Sequence, residues 1–306
     1  MMIVAVSPYH LTSREPPAMA SLLLAGRVVT FVPGPAEATL DAVAGAAARQ
    51  PLFHSFMESW RWTIPLWREG VIVSGLEGED AGEDIRAARR AMQEGEGDLA
   101  PLRALAGEDP FEGDERHLAV IARDVLRGGP DPGVSVPVAA GLDAFACRHG
   151  LVVARADPSS VAQRCEREMG RGHYAVALPV LLQASAARLL MAREVLSDSL
   201  AVLRGALGGG FETPEPVRAA AQRYGADFER ARPFLLAPEE DDELPRVVEG
   251  AVTLSAMELP LDAVLRSSAA AALETAGMRA RGSGVVADAS MVRTMLVKAL
   301  GRRGTA

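Results

Sequence analysis

The chain has 306 residues, 49% of them hydrophobic and 24% charged, with a formal net charge of -8. That composition supplies a sizeable core, and its negative balance excludes a broad electrostatic footprint for nucleic acid. Two cysteines, Cys147 and Cys165, without CxxC spacing exclude a disulfide framework and a cysteine zinc site. Lysine occurs only at Lys298, so nearly all basic charge is arginine; this Ala-, Gly- and Arg-rich usage suits a GC-rich bacterial genome more than it marks a function.

Met2–Val6 is continuously apolar, as a strand buried on both faces should be, and Ser7-Pro8 stops it. Arg27–Val32 reads as a second strand. A helix over Pro17–Ala25 between them makes a parallel βαβ opening. Before that helix comes a polar cluster: Tyr9, His10, Thr12, Ser13, Arg14 and Glu15. Thr12 and Glu15 have capping-box spacing. Glu15 and Pro16 each precede a proline, however, and are expected to be extended, which leaves Pro17 as the natural first helical residue.

Ser7–Glu15 is therefore expected as an irregular loop at the carboxyl end of the first strand, the edge where open α/β sheets bind ligands. His10 there suits a general base, with Glu15 orienting it and Arg14 stabilising an anion. Ser13 suits a nucleophile if a base reaches it, and Tyr9 adds a binding group. The plainer reading is a polar loop that satisfies its own backbone and pairs Glu15 with Arg14. Neither a glycine-rich phosphate loop nor a GxSxG elbow is present.

Pro35 to Leu126 reads as helices. Leu40, Val43, Ala44 and Ala47 mark one face, and Phe53, Phe56, Met57 and Trp60 another. His54 and Glu58 share a helix face but make only two ligands, so no metal site is expected. Trp60, Trp62 and Trp67 fall within ten residues, interleaved with Arg61 and Arg68. They read as core anchors with one boundary ring, or as binding residues of a partner surface. Gly128–Gly133, GGPDPG, is the strongest linker signal.

Beyond it, Val138–His149 reads as helix and Leu151–Ala156 as strand. Asp157-Pro158 starts the next helix as N-cap and first residue, and Asp157 joins the Ser7–Glu15 edge if the strands share a sheet. Tyr174–Leu182 reads as strand, then Ala184–Leu207 as a long helix. From the end of that strand through the helix, Leu182, Leu189, Leu196 and Leu203 recur at heptad spacing beside Ser185, Ala192, Ser199 and Ala206, the pattern of a closely packed left-handed helix pair. Arg193 intrudes on the leucine row. The partner is a helix of the same chain, such as Pro214–Leu235, or a second subunit, for which Leu189, Leu196 and Leu203 are the interface. Pro214–Leu235 is expected to break near Gly225. Val247–Met257 reads as strand, Pro260–Thr275 as helix and Met291–Leu300 as a last helix.

The expected fold is α/β and helix-dominated: a small, partly parallel sheet with packed helical layers and a long central helix. Residues 1–306 read as one discontinuous α/β domain with a helical insertion at about 35–127; the alternative is a split at 128–133. The longest apolar reach, Tyr174–Ala187, falls short of the roughly 20 residues of a membrane span, and the N-terminus lacks a basic n-region. A cytoplasmic protein is expected, with no membrane or nucleic-acid partner and no cofactor. Two functions fit. One is a non-enzymatic interaction or regulatory protein that uses its helical surfaces to bind a protein partner or a second copy as a homodimer. The other is a hydrolase-like enzyme with His10, Glu15 and Asp157 as its catalytic residues.

Overall fold

The computed structural model describes residues 1–31, 51–75, 81–96, 100, 103, 114–127, 131–155, 174–208, 215–238, 245–260 and 289–300. The chain is a helix-dominated α/β fold. Its elements begin with β1 (Ile3–Val6), α1 (Pro8–Thr12), α2 (Pro16–Leu24) and β2 (Arg27–Thr30). Then come α3 (Pro51–Trp60), a 3-10 turn (Arg61–Thr63), α4 (Ile64–Arg68), β3 (Ile72–Ser74), α5 (Ala81–Glu94), α6 (Asp114–Leu126) and α7 (Pro132–Arg148). The second half holds β4 (Val152–Arg155), β5 (Tyr174–Leu182), α8 (Ala186–Val195), α9 (Ser197–Gly208), α10 (Glu215–Leu235), β6 (Arg246–Pro260) and β7 (Ala289–Leu300).

One sheet joins the strands in the order β3-β2-β1-β4-β7-β6-β5. The run from β3 to β7 is parallel, and β6 then runs against both β7 and β5. β1 and β4 are thus neighbours, Ala5 beside Val153. Right-handed crossovers place α2 on one face and α7 on the other, because β2 and β4 flank β1 on opposite sides. Phe31 meets Phe145 of α7 edge to face, ring centroids 5.4 Å apart.

Several expectations are corrected. Ile72–Ser74 is a strand inside the stretch read as helical, paired with Val28–Thr30; three residues are too few to show a period. Met291–Leu300 lies in β7, not a helix: its Met, Leu, Lys and Ala favour helix, but it fills the sheet position between β4 and β6. The helix expected from Val138 starts at Pro132, with Asp131 of the GGPDPG segment as its N-cap accepting from Gly133 N at 2.9 Å. Helix α10 runs unbroken through Gly225. The long helix is interrupted at Leu196, where ψ rises to 11°. Leu40, Val43, Ala44, Ala47, Asp157 and residues 261–275 of the expected Pro260–Thr275 helix lie outside the described residues, while Pro260 itself ends β6. Among those described, no helix is long and apolar enough to cross a membrane.

Leu189, Leu196 and Leu203 are fully enclosed within the chain, as are Leu200 and Leu207. α8 and α9 pack on α2 and α10, so the heptad ridge faces the interior of its own chain rather than a second copy. Helices α5 and α7 pack closely at Gly141, where a Cβ would lie 2.9 Å from the backbone of Ile85.

α2 is apolar on every side and buried from Pro17 to Leu24, clamped between the sheet and α8–α9. Its last carbonyls have no intrahelical donors and belong to buried residues. Arg193 supplies the donors. Its Nη1 donates to Leu22 O and Ala25 O, both at 2.7 Å, and its Nη2 to Gly26 O at 3.1 Å. Arg204 Nε donates to Leu24 O at 2.7 Å. The residue that breaks the leucine row is thus a helix cap. Burial, and then the nearby Arg204, pull its pKa down to about 10, so the cap stays charged at neutral pH. Arg193→Leu restores the leucine pattern yet strands these carbonyls, and we expect it to cost roughly 3 kcal/mol or more in urea unfolding. A loss below about 1 kcal/mol would show that the carbonyls find other donors.

Candidate functional site

β1 lies between β2 and β4, and the chain leaves it toward β2 while β4 adds on the other side. The carboxyl end of β1 is therefore the topological switch point of the parallel strands, where open α/β sheets bind ligands. Ser7–Glu15 occupies it, but as a helical turn rather than an irregular loop. The Ser7 side chain accepts from Tyr9 N at 3.4 Å and Pro8 takes the first helical place. Thr12 Oγ1 donates to Pro8 O at 2.9 Å and caps nothing downstream. Glu15 is extended, as a residue before proline should be, yet α2 starts at Pro16 rather than Pro17.

α1 ends in a Schellman motif. Glu15 N donates to His10 O at 2.9 Å and Arg14 N to Leu11 O at 3.2 Å. This wrap folds Glu15 back over His10, the pair that usually makes an apolar contact in such a motif. Here the contact is polar: His10 Nδ1 lies 2.6 Å from Glu15 Oε2. Ser13 Oγ reaches the other oxygen, Oε1, at 2.8 Å and the Tyr9 carbonyl at 2.8 Å. The bond to His10 holds the Glu15 carboxyl below its ordinary 4.5, against the opposing effect of burial. Ser13 touches the carboxylate and not the imidazole, which removes the arrangement a serine nucleophile needs.

Arg14 occupies the left-handed place of the motif at φ 51°, a conformation that costs a non-glycine residue roughly 1–2 kcal/mol. It does not pair with Glu15. Its guanidinium lies 4.5 Å over the ring of Trp62. Trp62 is the boundary ring of the tryptophan cluster; Trp60 and Trp67 are core, 2% and 5% exposed. Trp67 Nε1 donates to Thr63 Oγ1 at 3.1 Å. Trp60 and Trp67 are thus not surface binding groups. The structure brings together Tyr9, His10, Ser13, Arg14, Glu15 and Trp62.

Tyr9 points inward. Its Oη donates to Asp124 Oδ2 of α6 at 2.6 Å, and Asp131 N donates to Asp124 Oδ1 at 3.1 Å. The turn is thereby tied to the start of α7. Burial pushes the Asp124 carboxyl up to about 6, over the lowering effect of its two donors. Burial, then the Asp124 charge, raises the Tyr9 phenol well above its ordinary value. Asp124 was missed at the sequence level although its spacing marks it, on the buried stripe of Val120, Ile121 and Val125. Thr30, at the carboxyl end of neighbouring β2, was also missed; its buried Oγ1 has no partner among the described residues.

Among the described residues no cluster fit to hold a metal occurs. No family model, no curated protein and no solved structure matches this chain.

A folded-state pKa raised above 3.8 means that Asp124 favours the fold most when protonated. That contribution is complete below the ordinary value and is lost as pH rises through about 6. Urea unfolding at a series of pH values should show the wild type losing stability across this window by on the order of 2 kcal/mol relative to Asp124→Asn. Parallel profiles would show that Asp124 does not titrate there. Glu15, with a lowered pKa, acts in the opposite sense, losing its contribution only as pH falls below its ordinary 4.5.

Proposed function

We propose that this chain is a hydrolase-like cytoplasmic enzyme in which His10, held by Glu15, is the general base. The observation that carries this reading is the 2.6 Å contact between His10 Nδ1 and Glu15 Oε2, set by the Schellman wrap at the switch point of the sheet. An ionised carboxylate only accepts, so in the neutral imidazole the proton sits on Nδ1 and Nε2 is the acceptor nitrogen. In the reaction, Nε2 takes a proton from water as the water oxygen bonds to the electrophilic centre. The bond to the leaving group then breaks, and the imidazolium returns the proton to the leaving atom. Glu15 stabilises the imidazolium between the two transfers. Ser13 supports Glu15.

A second reading, interaction through helical surfaces, has one observation in its favour. Val195, Val202 and Phe234 are 48%, 43% and 56% exposed on α8, α9 and α10. The leucines and two of the tryptophans that motivated it are core. A single-chain mass in light scattering at high protein concentration would remove its self-association form.

The enzyme reading is tested with nitrophenyl esters and nitrophenyl phosphate. For a substrate that turns over, His10→Gln should lower kcat/KM by about 10²–10⁴-fold with the fold intact, and Glu15→Gln by a smaller factor. Equal rates for wild type and His10→Gln across the panel would reject the reading.

A further inference from the structure

Arg14 and Glu15 are adjacent and opposite in charge, yet both oxygens of Glu15 are engaged elsewhere, Oε2 with His10 and Oε1 with Ser13. The Arg14 guanidinium is left on Trp62 and has no acceptor among the described residues. Arg61, beside Trp62 on the 3-10 turn, pairs with Glu58 at 3.5 Å. Stacking on an indole covers a face of the planar guanidinium and leaves its edge donors free for a two-oxygen acceptor. The Nε1 of Trp62 is itself buried without an acceptor among the described residues. The backbone makes the arrangement costly: position 14 is the left-handed place of the Schellman motif, where glycine is the ordinary occupant. A long cationic side chain kept there against strain points to a use for that side chain.

We infer that Arg14, laid flat on Trp62, is the anchor for an anionic group of the substrate, a carboxylate or a phosphate, gripped through two oxygens next to the His10–Glu15 pair. The word substrate rests on the hydrolase reading; the anion site does not.

The full-length chain is titrated with succinate and with inorganic phosphate, against sodium chloride at matched ionic strength, following thermal midpoint and indole emission. One of the two anions should raise the midpoint and change the emission beyond the chloride control. A stronger succinate response assigns a carboxylic acid substrate and a stronger phosphate response a phosphate ester. Arg14→Gly, suited to positive φ, should unfold at the same or a higher temperature while its apparent anion affinity falls by about tenfold or more. Arg14→Lys, a point charge without the fork, should fall between, and His10→Gln should keep the anion response. An Arg14→Gly protein that responds like wild type, or anions that do no more than chloride, would overturn the anchor. Turnover lost in His10→Gln with KM unchanged in Arg14→Gly would remove the anchor and leave the general base. An anion response lost in Arg14→Gly, with no panel substrate turned over, would support the anchor and reject the enzyme.

Discussion

The guanidinium of Arg193 at the end of α2 is the contact on which the rest of the architecture depends. α2 can be apolar all round only because something other than water receives its terminal carbonyls. Arg193 and Arg204 do so from α8 and α9, which lock the second half of the chain onto the first βαβ unit. Arg188, on the same helix, donates to Leu235 O at 2.6 Å and Ala237 O at 3.0 Å at the end of α10. The α8–α9 rod thus delivers arginine to two helix termini, where positive charge also meets the negative end of the peptide dipoles. An ammonium cannot span diverging carbonyls as a planar fork does. The near-absence of lysine therefore has structural meaning at these positions, beyond any bias of coding.

The fold places its costs unevenly. Around α2 the buried polar groups are matched by donors and acceptors, as stability requires. At the carboxyl edge of β1 the opposite holds within a few residues: a non-glycine residue at positive φ, a cation without a counterion among the described residues, and a histidine whose outer nitrogen is uncommitted there. Below that edge Tyr9 binds a carboxyl group that burial disfavours as an anion. Strain is not confined to this edge, since Gln183 also takes positive φ at 58° and Trp60 Nε1 is buried without a partner among the described residues; what sets the edge apart is an unpaired cation beside an oriented histidine.

How much of this was legible in the sequence depended on how each signal is generated. β1, β2, β4, β5 and β6 were visible as apolar runs bounded by Pro or Gly. β3 was too short for any period, and β7 is written in helix-favouring residues overridden by its place in the sheet. Pro16 and Pro17 mark only the start of α2; the turn at Pro8 has its own signal. Ser7-Pro8 has the same N-cap and first-residue form that was read at Asp157-Pro158, and Asp131-Pro132 repeats it inside an apparent linker. The pairing of His10 with Glu15 was legible as chemistry, but not its cause. The Schellman wrap has no glycine to announce it, since arginine occupies the position that would. Arg193 was visible only as an exception to a pattern.

The contact at Gly141 reaches further than its size suggests. α7 is one continuous rod with Pro137 inside it, and the ten residues from Gly141 back to Asp131 span about 15 Å. At one end of that rod the glycine lets two helix backbones touch; at the other, Asp131 holds the carboxyl group that grips Tyr9. Prying the rod outward at its midpoint tilts its tip. A single methyl group, added far from the imidazole and touching nothing near it, would thus act as a wedge whose effect is felt at the N-terminal tip of α7, where Asp131 meets the carboxyl group bound by Tyr9.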